Sequence, residues 1–185
     1  MRIRNVKNKE EIIDKSKYTI KGCKDYCSKW QELFNNNNPI HIEIGMGKGK
    51  FIKEMAKANK DINFIGIEKN SSIVAKALSY IKDDLDNLYI ININALEIDE
   101  VFNHEVSRIY LNFSDPWPKN RHHLRRLSSR VFLEKYESIF RNDKTIHMRT
   151  DNRDLYTYSL VSFSQFGYKL EKIRFKRIFW GRRTT

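Results

Sequence analysis

The stretch Ile109-Tyr110-Leu111-Asn112-Phe113-Ser114-Asp115-Pro116-Trp117-Pro118-Lys119-Asn120-Arg121-His122-His123-Leu124-Arg125-Arg126 joins three pieces of different chemistry. Its first five residues are apolar and β-favouring, which predicts a buried strand. A carboxylate ends that strand, followed by two prolines around a tryptophan. Pro116 and Pro118 each fix a φ angle and remove a backbone donor, so Asp115 and Trp117 stand on a rigid turn. Beyond it Lys119, Arg121, Arg125 and Arg126 alternate with His122 and His123, with no acid before Glu134. A carboxylate at a strand's carboxyl end, an aromatic beside it and a cationic run leading away suit a polyanion that carries a planar base. A tryptophan plugging a core and a solvated basic face would read the same way, so the residues upstream have to decide.

Upstream, Ile40-His41-Ile42-Glu43-Ile44 reads as a first strand running into Gly45-Met46-Gly47-Lys48-Gly49. Phe51, Ile52, Met55 and Ala56 then recur at helical spacing to Asn59. Strand, glycine turn and helix together let a backbone approach a ligand at a helix amino terminus. The spacing is G-x-G-x-G, not the G-x-G-x-x-G of dinucleotide binders. Asn63 to Glu68 makes a second strand ending in an acid, the position that commonly accepts ribose hydroxyls in doubly wound folds. Asn70 or Ser71 can cap a helix whose face is Ile73, Val74, Ala77, Leu78 and Ile81. Leu88 to Ile93 is a third strand, ending at Asn94, and the Asp115 strand is the fourth. Phe132, Leu133, Tyr136, Ile139 and Phe140 define a helix, and Thr145 to Thr150 a fifth strand that ends at Asp151.

Strands and helices alternating at these lengths predict an α/β fold, a doubly wound and mostly parallel sheet with helices on both faces. Glu43, Glu68, Asn94, Asp115 and Asp151 then all fall at carboxyl ends of strands, the edge where open α/β sheets bind ligands.

At 185 residues the chain has room for one well-buried domain and not for two ordinary ones. Residues 1–38 read as a basic amino-terminal extension closed by Asn35-Asn36-Asn37-Asn38-Pro39, a run that cannot continue a helix, with residues 39–185 as the folded domain. The formal charge of +12 is concentrated in residues 119–130 and 167–185, which makes nucleic acid the leading partner class. No run approaches a membrane span or the apolar core of a signal peptide, so a cytoplasmic protein is expected. Cys23 and Cys27 are too few for a disulfide framework, and the five histidines show no metal-ligand spacing.

With these residues in hand the chain resembles the bacterial tRNA (guanine-N7-)-methyltransferase family, S-adenosyl-L-methionine-dependent enzymes of the Rossmann-like class I type. The resemblance covers about residues 39–168. Tyr110 to Arg126, with Ser-Asp-Pro-Trp-Pro-Lys and the Arg-His and Arg-Arg pairs, is its most specific part, supported by Pro39 to Gly49 and Thr150 to Arg153. It implies that Glu43, Gly45, Gly47 and Gly49 lie along the methionine and ribose of the cofactor, that Glu68 binds the ribose hydroxyls, and that Asn94, where the family usually has aspartate, sits near the adenine. It implies Asp115 as the active-site residue, also at the cofactor, and Lys119 and Asp151 as contacts to the tRNA. Arg121, His122, His123, Leu124, Arg125 and Arg126 become the RNA-binding run. The expected reaction is methyl transfer to guanine N7 in the variable region of tRNA, by a monomer without a metal.

The carboxyl end departs from the family pattern. Lys176 to Thr185 matches neither the Thr-Glu-Tyr-Glu segment nor the final strand that follow in the family. A shortened or altered carboxyl-terminal hairpin is expected, with an unpaired edge at Ile178, Phe179 and Trp180. The alternative function is therefore a catalytically impaired form that binds tRNA or other RNA. A nicotinamide-dependent oxidoreductase is a further rival, disfavoured by the glycine spacing and by the want of a proton donor paired with a pocket.

Overall fold

The computed structural model describes residues 5–173. In chain order its main elements are α1 (Lys9–Lys15), α2 (Trp30–Phe34), β1 (Ile40–Ile44), α3 (Lys50–Ala58), β2 (Asn63–Ile67), α4 (Ser71–Tyr80), β3 (Leu88–Ile91), β4 (Val106–Asn112), α5 (Arg130–Ile139), β5 (Phe140–Arg149) and α6 (Arg153–Phe166). Short 3-10 turns lie at Cys23–Tyr26, Ala95–Glu100 and Asn120–Arg125.

The five strands form one parallel sheet in the order β3-β2-β1-β4-β5. Chain direction across the sheet therefore reverses between β1 and β4, and the carboxyl ends of those two strands open the crevice where doubly wound sheets take ligands. Strand alternation sorts side chains to two faces. Ile40, Ile42, Ile44, Ile65, Ile67, Ile109 and Leu111 pack with Trp30, Phe34 and the apolar stripe Phe132, Leu133, Tyr136 and Ile139 of α5. Phe64, Ile90 and Tyr110 face the other way, onto Ile52 and Ala56 of α3 and Val74 and Ala77 of α4. Gly66 is dictated by packing, since a Cβ there would lie 2.4 Å from Sδ of Met46, whose side chain seats the glycine turn on the sheet.

Two expectations are corrected. The described part of the expected amino-terminal extension, residues 5–38, packs into the core: Trp30 is fully buried, stacked on Phe102 with ring centroids 5.3 Å apart, and its indole N–H donates to the Val101 carbonyl at 2.8 Å. Tyr18 and Thr19 run beside β3, where the Ile90 N–H donates to the Tyr18 carbonyl at 2.7 Å, so this segment covers the edge of β3. The apolar residues Tyr18, Cys23, Tyr26, Trp30 and Phe34 that drive this docking are spaced among lysines, without a helix or strand period long enough to declare itself. The fifth strand is also longer than expected. It begins at Phe140, directly after α5, and its extra length is absorbed by a register shift opposite Val106 and Arg108 of β4.

Residues 153–166 form α6, an element absent from the expectations drawn from the sequence. Asn152 caps it by accepting from the Leu155 N–H at 2.8 Å, and Gly167 closes it at φ 102°. Tyr168 to Ile173 carries no regular secondary structure, and the expected altered hairpin from residue 176, with Ile178, Phe179 and Trp180, lies outside the described residues.

Candidate active site

Each of the five strand-end residues singled out in the sequence lies along the carboxyl edge of the sheet. Glu43 is buried in β1 and accepts a hydrogen bond from the Asn112 amide of β4 at 2.8 Å. Its second oxygen, Oε2, and the Asn112 Oδ1 are both buried without a partner in the protein. Burial pushes the Glu43 carboxyl up to about 7, against the opposing pull of the Asn112 hydrogen bond, the nearby α3 backbone at Ile52 and the Arg149 charge. Unpartnered acceptors at the bottom of a crevice call for a ligand that donates hydrogen bonds or carries positive charge.

The glycine turn closes over this point. Gly47, at φ 57°, adopts a backbone that L side chains rarely take, and a Cβ placed on it would meet nothing within 4 Å, so its surface faces open space. Its N–H donates to Oε2 of Glu68 at 3.3 Å, while Oε1 of Glu68 accepts from Asn70 at 2.9 Å. The second-strand acid is thus held between the glycine turn and the amino terminus of α4. Asn92, not among the site residues expected from the sequence, supports it from β3's end: its amide donates to the Glu68 carbonyl at 2.7 Å and its Oδ1 accepts from Ser71 at 2.8 Å. The only cue in the sequence was its place two residues before Asn94, on the same side of an extended segment. Asn94 is exposed and caps the 3-10 turn at Ala95–Glu100 by accepting from the Leu96 N–H through Oδ1.

Across the crevice, β4 leaves the sheet through a contorted turn. Phe113 has φ 51° and Trp117 φ 43°, left-handed conformations that bulky residues adopt only when their surroundings impose them. The Phe113 N–H is anchored to the Arg149 carbonyl of β5 at 2.8 Å, while the residue is 66% exposed. Asp115 is exposed between these two aromatics. The Trp117 indole is occupied by its own neighbours: His122 meets it edge-on at 5.7 Å, and the Arg125 guanidinium lies 5.1 Å from its ring centroid.

The cationic run divides. Lys119, Arg121, His123, Leu124 and Arg125 are exposed on the 3-10 turn and its lead-in, with His122 half-buried against Trp117. Arg126 differs, being only 7% exposed and turned back into the protein. Asp151 is exposed between β5 and the cap of α6, on the same edge as Asp115. An acid pair around a glycine turn, an exposed carboxylate on a strained aromatic turn and a basic surface leading away thus lie together along one edge of the sheet.

A protein-family profile described as "Putative methyltransferase" matches residues 37–176. The tRNA (guanine-N(7)-)-methyltransferase of Geobacillus sp. strain WCH70 is 51% identical to this chain, over 92% of it and 79% of the relative. Those of Lachnoclostridium phytofermentans and Streptococcus sanguinis are 46% and 44% identical, each covering 83% of the relative and 95% and 94% of this chain. Among solved structures, an antibiotic-related methyltransferase superposes with a TM-score of 0.61 at 16% identity, over 83% of this chain and 79% of that one. The aminoglycoside resistance methyltransferase NpmB1 gives 0.56 at 17% identity, over 76% and 68%. These structural likenesses establish the class I methyltransferase fold.

Proposed function

Because this chain belongs to the tRNA (guanine-N7-)-methyltransferase family, we propose that it methylates N7 of a guanine in the variable region of tRNA, as a cytoplasmic monomer using S-adenosyl-L-methionine. The observation that carries this reading is the pairing, at one sheet edge, of the Glu43 and Glu68 crevice with the exposed Asp115 turn and its basic flank. No described helix is long and apolar enough to cross a membrane.

The residues present fit the cofactor. When bound, S-adenosyl-L-methionine supplies the electrophile, a methyl group on a positively charged sulfonium. Glu43, with its unpartnered Oε2, would hold the cationic amino-acid end, and Glu68 still has acceptor capacity for ribose hydroxyls. Gly45, Gly47 and Gly49 would let the backbone come close, and the exposed Asn94 would face the adenine.

The chemistry asked of the chain's own groups is light. Guanine N7 carries an available lone pair in the neutral base, so no proton is removed before attack and the work is positioning. Asp115 accepts hydrogen bonds from guanine N1 and the exocyclic amine, and its charge favours the cation that develops as N7 is methylated. It is not a general base. Since Trp117 already carries the Arg125 guanidinium over its ring and His122 against it edge-on, the exposed Phe113 is the better stacking surface for the base. Lys119, Arg121, His122, His123, Leu124 and Arg125 make up the track for the tRNA backbone, and Asp151 meets the substrate from the far side.

The test is methyl transfer from labelled S-adenosyl-L-methionine to an unmodified tRNA transcript and to one whose variable-region guanine is adenine. Label on the first alone, at a site cleaved by N7-methylguanine chemistry, is expected. No label with cofactor binding intact would leave the chain an RNA-binding protein.

A further inference from the structure

We propose that Arg126 is a positioning residue, which holds the Asp115 turn against α6 and does not contact RNA. The inference rests on the methyl-transfer reading above. Within the basic run this guanidinium alone is buried, 7% exposed between an exposed Arg125 and a half-buried Leu127. Its Nε donates to the Pro116 carbonyl at 2.9 Å and its Nη2 to the Trp117 carbonyl at 3.1 Å, and its plane lies 4.3 Å from the centroid of Tyr158 on α6.

The turn needs such a clamp. Pro116 and Pro118 have no N–H, so the segment has two fewer local donors to brace it, and Trp117 sits at φ 43°. A planar fork that grips two consecutive carbonyls fixes both peptide planes at once. Among the described residues no carboxylate forms an ion pair with Arg126; two carbonyls and an aromatic face take that place. The other side of the clamp is equally fixed. Ser128 and Ser159 share a 2.6 Å hydrogen bond, and Ser162 donates to the Ser128 carbonyl at 2.7 Å, riveting the segment after Arg126 to α6. That helix starts at Arg153, directly after Asp151 and its cap Asn152. Arg126 thereby ties Asp115 and Asp151, on separate loops, into one rigid frame.

A lysine cannot reproduce the fork, and an uncharged side chain cannot reproduce the donors. Arg126→Lys and Arg126→Met should each lower kcat by about 100-fold, the scale of a misplaced catalytic group. KM for tRNA, cofactor affinity and the salt dependence of tRNA binding should stay at the wild-type values. Arg121→Ala and Arg125→Ala should instead weaken tRNA binding and reduce the slope of log K against log salt by roughly 0.7 to 0.9 each. Tyr158→Phe should behave as wild type, while Tyr158→Leu should lose activity in the same kcat-selective way.

Hydrogen exchange of residues 113–119, followed by mass spectrometry, should rise in Arg126→Met while that of α3 and α4 does not change. This readout stands even if the wild-type chain transfers no methyl group, so a failure of the activity is separable from a failure of the clamp. An Arg126→Met protein with wild-type kcat, with a reduced salt slope and raised KM, or with unaltered exchange across 113–119 would overturn the proposal. If Arg126→Met does not fold, the Tyr158 pair decides: equal kcat in Tyr158→Phe and Tyr158→Leu overturns it as well.

Discussion

The amide of Asn112 donates to Oε1 of Glu43 at 2.8 Å, tying together the ends of β4 and β1 where the sheet reverses its order. The bond leaves Oε2 of the same buried carboxyl unpartnered, and burial holds that carboxyl at about 7. Cofactor binding that requires the ionised form should therefore tighten as pH rises from 6 to 8 and release a proton at pH 6.5. Titration calorimetry in buffers of different ionisation enthalpy reads this directly. Glu43→Gln should abolish the proton release and weaken the cofactor by ~10- to 100-fold, the loss of a charge-assisted hydrogen bond. Retained pH dependence in that variant would move the titration to another group.

Glu43 and its strand neighbour His41 should pull stability in opposite directions with pH. The Glu43 carboxyl binds its proton more tightly folded than unfolded, so it lowers stability as pH rises from 4.5 through 7, by up to ~3 kcal/mol. His41 is held neutral by burial and then by the charges of Arg108 and His147, down to about 4. Its contribution is lost as pH falls from 6.5 through 4, by up to ~3 kcal/mol. The two slopes offset each other in the wild type. Urea unfolding of Glu43→Gln should show stability falling toward acid, and His41→Leu should show it rising.

Asp115 is exposed and makes no contact that the fold depends on among those found for the described residues. Asp115→Ala should therefore leave the melting temperature and cofactor affinity unchanged while reducing turnover by ~10²- to 10³-fold or more. Asp115→Asn should fall between the two, since it keeps one acceptor and loses the charge. Near-normal turnover in Asp115→Ala would remove it from the site.

Phe113 combines an exposed ring with φ 51°, a conformation that costs a bulky residue ~1–2 kcal/mol. Phe113→Gly should relieve that strain and raise the unfolding temperature, yet lower kcat/KM for tRNA by roughly 10-fold as the stacking surface is lost. Gain in stability with loss of activity is the signature; a variant that loses both is using Phe113 for packing.

Trp30 tests how far the fold reaches toward the amino terminus. Trp30→Ala removes a fully buried indole and strands the Val101 carbonyl, and denaturant unfolding should show a loss of ~3–5 kcal/mol. A chain lacking residues 1–34 should not fold.

Much of this protein is written in its local sequence. Apolar alternation and helical spacing placed β1 to β4, α3, α4 and α5 within a few residues, because a strand with both faces buried and a helix with one apolar stripe each have a period of their own. Glu43, Glu68, Asn94, Asp115 and Asp151 were legible for the same reason: each closes a strand, and parallel strands carry all such ends to one edge. What needed the folded chain were relationships between segments with no shared period. Glu43 meets Asn112 across 69 positions, and Trp30 meets Val101 across 71. Arg126 shows the limit most clearly. In sequence it is one more cation in a run, and nothing in its neighbours separates it from Arg125. Its burial against two proline-flanked carbonyls and the Tyr158 ring follows from how α6 packs on the turn, a tertiary contact that composition and spacing do not encode.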